Sequence, residues 1–224
     1  MLKPAVWSAW PDIFGPHGDE KSGCRDGWLA HCTAQNTPSI FQSFGSNCFN
    51  NFEGTAAVIH HKYRIIDFLI NFHQNPNLRQ RSILEDTQSE EIIIMVTDLA
   101  VMYVYITGPF WILITCDIHY LDLYQHIQKM EHHLRETCDT PGVISFMLRD
   151  LPSCLETFPL EDTLMVESVR SVAALLEDCE DLYSLVQLLA MNFLKVINNQ
   201  LSYFLSDGRY RQEPSETQRW LTVE

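Results

Sequence analysis

The chain has 224 residues, 46 % of them apolar, and a formal net charge of −14. That length suits one large domain or one domain with an irregular extension, and the apolar fraction excludes disorder as the overall state. The charge is uneven: residues 82–208 hold 5 basic and 20 acidic groups, so this stretch is a poor nucleic-acid binder, because such binding draws most of its affinity from Lys and Arg displacing counterions.

Residues 1–45 carry much of the Gly, Pro and Trp, with sharp breaks at Trp10-Pro11 and Gly15-Pro16. They read as an irregular segment with aromatic anchors and one short helix near Arg25–Gln35. The N-terminus lacks an apolar run long enough for a signal peptide. The seven cysteines are odd in number and contain no C-x-x-C pair, which argues for reduced thiols rather than a disulfide framework. An intracellular location, nuclear or cytoplasmic, is expected.

From Asn47 the pattern turns helical, with one or two helices ending before Asn75-Pro76, since the residue before a proline avoids the α region. A further helix is expected at Asn77–Glu85. Ile92–Thr115 then supplies 24 residues with one charge, Asp98. That stretch has the length of a membrane span or of two core segments hinged at Gly108-Pro109. Asp98 inside the stretch, the donor lost at Pro109 and acidic flanks without Lys or Arg all favour the buried-core reading, so no membrane is expected. Ile92–Ile106 has the β-branched content of a strand and the length of a helix; it is read as helix.

Asp117 can cap a helix through Thr137, with Tyr120, Tyr124, Ile127 and Leu134 on one stripe and Pro141-Gly142 as the stop. In Leu160–Glu177, the residues Met165, Val169, Val172 and Leu176 form a narrow apolar seam, a packing surface or a partner surface, with core packing favoured. The longest helix is expected over 180–206, with Gly208 in the C-terminal capping position. Its apolar arc, which includes Leu182, Leu185, Leu189, Phe193, Val196 and Leu201, is wide enough to be enclosed by neighbouring helices. The fold class expected is mainly α: a multi-helix domain at 46–208 between an irregular Gly/Pro/Trp-rich segment (1–45) and a polar tail (209–224).

Chemistry is thin. Cys116-x-x-His119 with His126, His132, His133 and Cys138 has ligand types but not ligand spacing. The downstream members share one helix, which cannot wrap tetrahedrally around an ion. Neither a G-x-S-x-G elbow nor a phosphate-binding glycine loop occurs in the sequence, so no catalytic residue, cofactor or metal is assigned.

Three stretches, in order along the chain, resemble a family of animal proteins that derives from hAT-type DNA transposons. Phe44 through Phe52, with Asn47, Phe49 and Asn50 at its centre, resembles an F-x-x-N-R-F-N segment, except that Cys48 stands where the family has Arg. Thr107, Gly108, Pro109, Phe110 and Trp111 resemble its TGPFW motif. Asp207-Gly208-Arg209-Tyr210 with Pro214-Ser215 resembles its G-G-K-[FY]-x-x-P-S segment. The resemblance implies the helical insertion of an RNase H-like transposase, with the catalytic Asp residues upstream and the final Glu downstream of this chain. It leads to the expectation of a catalytically inert helical fragment or domesticated protein, acting through a protein partner or as a homo-oligomer. The alternatives are a metal-dependent DNA-cutting enzyme and a protein anchored in a membrane by Ile92–Thr115.

Overall fold

A computed structural model describes residues 10, 13–15, 24–41, 50–72, 75–140, 155–205 and 208–210. Those residues are mainly α-helical, and no strand occurs among them. Asn47 and Phe49 lie outside the described residues, as does the tail beyond Tyr210.

The chain groups into two compact units, Met1–Tyr103 with Asp162–Leu176, and Val104–Glu161 with Glu177–Glu224. In the first unit, α1 spans Arg25–Ala34. It ends where Asn36 takes a positive φ of 52°, a left-handed conformation that asparagine tolerates better than most residues. Helix α2 (Asn50–Asp67) runs on into a π-helical turn, Phe68–Phe72. Asn77 opens α3 (Leu78–Gln88) with a capping box: its side chain accepts from the Gln80 amide at 3.0 Å while its own amide donates to Gln80 Oε1 at 2.8 Å. Two otherwise orphaned donors are satisfied reciprocally. Ser89 caps α4 (Glu90–Met102), and Glu90 and Glu91 in the first turn complement its dipole. Asp162 caps α7 (Thr163–Leu175) by accepting from the Met165 amide at 2.9 Å.

The core of this unit forms where α2 packs on α4 and α7, and α4 on α7, with α3 beside α2 and α4. An aromatic cluster joins it to the N-terminal segment. Trp28 is fully buried, with Phe14 at 5.0 Å, His61 at 5.2 Å and Phe68 at 5.7 Å between ring centroids. Its indole N–H donates to Ser39 Oγ at 2.9 Å.

A second π-helical turn, Tyr103–Thr107, carries the chain from α4 into α5 (Gly108–Thr115), and Pro109 sits in the first turn of α5. The wider turn has a plain cause. A proline lacks the N–H and its ring crowds the carbonyl four residues back, and a local change of helical winding absorbs both defects without breaking the run. Glu90–Thr115 is thus continuous, long and apolar enough to cross a bilayer, and 72 % of its most apolar window is buried inside the protein. That burial is what a core helix requires.

In the second unit, α6 (Leu123–Asp139) packs along α8 (Glu180–Gln200). Asp117 does not cap α6 as expected. Cys116 Sγ donates to the Leu113 carbonyl at 2.8 Å and closes α5, so Asp117 falls in the bend beyond it. His119 instead caps a short 3-10 turn (Tyr120–Asp122) that leads into α6. Tyr120 is consequently off the α6 stripe, which keeps Ile127 and Leu134 buried.

Helix α8 also ends earlier than expected, at Gln200, and Gly208 is not its cap. A 3-10 turn (Ser202–Phe204) follows, and the chain folds back so that the Tyr210 amide donates to the Tyr203 carbonyl at 2.7 Å. A Cβ on Gly208 would overlap the backbone of Ser202 and Tyr203. Gly208→Ala should therefore push this turn off its contacts with Tyr120, Tyr203 and Phe204, at a cost of about 1–3 kcal/mol. Guanidinium denaturation checks this; a variant as stable as wild type would mean the turn is not closed in solution.

Candidate functional site

Half-buried polar groups gather where α2 meets α7. His60 Nδ1 lies 2.8 Å from Ser168 Oγ, and the Ser168 hydroxyl donates to the Leu164 carbonyl at 2.7 Å. A hydroxyl has one proton, so this geometry makes His60 the donor and Ser168 the acceptor. A serine arranged this way is a helix-bound hydroxyl rather than an activated nucleophile, which would need to donate to the imidazole. Burial, reinforced by the Arg64 charge, holds His60 below its ordinary value despite Asp162 nearby. His61 is fully buried and pushed down to about 3 by burial first, then by the His60 and Arg64 charges. It is a neutral core imidazole accepting from the Ile40 amide at 3.1 Å. Glu53 is pushed up by burial, and Tyr103 is raised by burial and by the Glu53 and Asp162 charges. The groups lie close together, and the His60–Ser168 pair ties α2 to α7.

The cysteine and histidine candidates separate in the same way. Cys24 and Cys32 are buried free thiols pushed up to about 12 and about 11 by burial, so neither is a thiolate at neutral pH. Cys116 is engaged with Leu113, and His119 accepts from the Leu121 amide at 3.3 Å. His126 packs edge-on to Phe158, while His132 and His133 pair with Glu136. Among the described residues no three His, Cys, Asp or Glu side chains converge as metal ligands.

The motif residues divide between interior and surface. Asn50 is the first residue of α2. Thr107, Gly108 and Pro109 are buried at the π turn, Phe110 is half-buried, and Trp111 is 53 % exposed. In the seam, Met165 and Val169 are buried in the first unit, whereas Val172 and Leu176 are only half-buried; Ala173, which apolar spacing does not single out, completes the buried face. Met165 and Val169 are therefore packing residues, out of reach of a partner in the folded chain.

Surface hydrophobicity appears elsewhere. On α8, Leu182, Val186, Ala190 and Ile197 are buried, but Leu188, Met191 and Val196 are 54 %, 44 % and 47 % exposed. Of the arc expected to be enclosed, Leu182 is buried, Leu185, Leu189, Phe193 and Leu201 are half-buried, and Val196 is exposed; Leu188 and Met191 lie outside that arc. No protein-family model, curated protein or solved structure matches the chain. The helical architecture and these surfaces are thus what the molecule itself offers toward a function.

Proposed function

We propose that the chain is a non-catalytic, transposase-derived helical module that works by associating with protein, most simply with a second copy of itself. The observation that carries this reading is the outward side of α8, where Leu188, Met191 and Val196 stand 44–54 % exposed. Large apolar side chains grouped on one helix mark association surfaces more often than scattered ones do. The transposon origin rests on the three motif resemblances and their order along the chain, and the acidic body argues against nucleic acid as the partner.

Sedimentation equilibrium tests the reading. The wild-type chain should show a mass above one chain that falls on dilution. Met191→Lys, at a surface position, should return it to monomer without changing far-UV circular dichroism. A wild-type chain that stays monomeric into the upper micromolar range would reject association through this face with its own copy.

A further inference from the structure

Asp98 lies on α4 with 4 % of its surface exposed, and its Oδ1 meets no hydrogen-bond partner among the described residues. The adjacent Thr97 hydroxyl is buried and unpartnered as well. Around them α4 is buried on nearly all sides, through Ile93, Ile94, Val96, Ala100, Val101 and Met102. A carboxyl group without donors in such a place is costly when charged and far less so when neutral.

The charged and titratable groups on the packed helices do not relieve it. Those not exposed are the buried His61 and the half-buried Glu53, His60, Lys62, Arg64 and Asp67 on α2, with the half-buried Asp86 on α3 and Asp162 at the head of α7. None of them is a cause of the Asp98 shift; burial is, and it pushes the carboxyl up to about 7.

We propose that Asp98 is a protonation-controlled lock on the core formed by α2, α4 and α7: closed while its carboxyl is neutral, and opening transiently more often as the carboxyl ionises. The direction comes from linkage. A carboxyl raised in the folded state keeps its proton there after the opened state, with an ordinary value of about 4, has lost its own. The Asp98 contribution to closed-state stability is therefore full below about pH 4, declines between about 4 and 7, and is level above that.

Amide hydrogen exchange, expressed as protection relative to the intrinsic rate at each pH, reads this directly. His60 and His61, held below their ordinary values in the folded state, add an opposite slope. The quantity read is therefore the ratio of wild-type to Asp98→Asn protection at α4 and α7 amides, which should fall about tenfold per pH unit between pH 5 and 7 and level off above. Asp98→Asn is similar in shape and keeps every titration but this one. Asp98→Leu provides a second reading if the asparagine variant folds poorly, and it should keep protection at pH 8 at or above the wild-type level. A ratio that stays constant across this range, with either variant as the reference, would overturn the proposal.

Discussion

Trp28→Ala should destabilise the first unit by about 3–5 kcal/mol, the range for emptying a buried tryptophan site. Trp28 is fully buried and meets Phe14, His31, Phe41, His61 and Phe68, residues contributed by the N-terminal segment, α1, α2 and the π-helical turn after it. Removing the indole opens a cavity where these pieces share a core. It also leaves Ser39 without its N–H donor. Trp28→Phe keeps a ring in the cluster but loses volume and that hydrogen bond, so its cost should be smaller, about 1–2 kcal/mol. Urea denaturation followed by near-UV circular dichroism separates the two, since the signal reports aromatic packing. A loss under about 1 kcal/mol for the alanine variant would mean that the N-terminal segment does not pack on α2 in solution.

Val169→Glu should cost at least as much, and by a different mechanism. Val169 is fully buried on α7, in the unit where α7 packs against α2 and α4. A glutamate there buries an unpaired carboxylate, which destabilises by roughly 3–5 kcal/mol or more. Against a domain stability of about 5–15 kcal/mol, that removes a large share, so the unfolding midpoint of the first unit should drop sharply and far-UV helicity should be lost at lower denaturant. The defect should ease at pH 5, where the buried carboxyl can hold its proton. This outcome would distinguish a core position from a partner surface, because a charge on an exposed seam would break association and leave helicity intact. A well-folded variant with unchanged helicity would show that α7 does not pack on α2 and α4 in solution.

The seam shows how far the sequence can be read. Spacing alone places Met165 and Val169 together on one side of a helix, and both are buried. It cannot tell that the buried face continues through Ala173 rather than Val172. Apolar periodicity ranks side chains by hydrophobicity, whereas a close helix crossing selects a small residue. Leu176 is misjudged for a second reason: it lies beyond the last residue of α7, so helical spacing no longer applies to it.

Capping is legible unevenly. Asn77 is expected at the start of α3, and its capping box is formed within four residues, so local sequence contains all the information it needs. Asp117 has the right chemistry in the wrong place, because the preceding helix uses Cys116 to close and turns the chain before α6 can begin. Gly208 stands out as special in the sequence, but for the role of helix cap; its actual requirement is close approach to the backbone of Ser202 and Tyr203.

The sequence by itself determined the helical class, the approximate helices and the acidic character of residues 82–208; the hinge expected at Gly108-Pro109 is instead a π-helical turn in a continuous helix. The first three depend on composition or on interactions spanning a few residues. The tertiary structure alone decided the pairing of His60 with Ser168, 108 residues apart, the lack of a hydrogen-bond partner for Asp98 Oδ1 among the described residues and the exposure of Leu188, Met191 and Val196 on α8. These depend on which surfaces distant segments bring together, and neither helical period nor residue type encodes that.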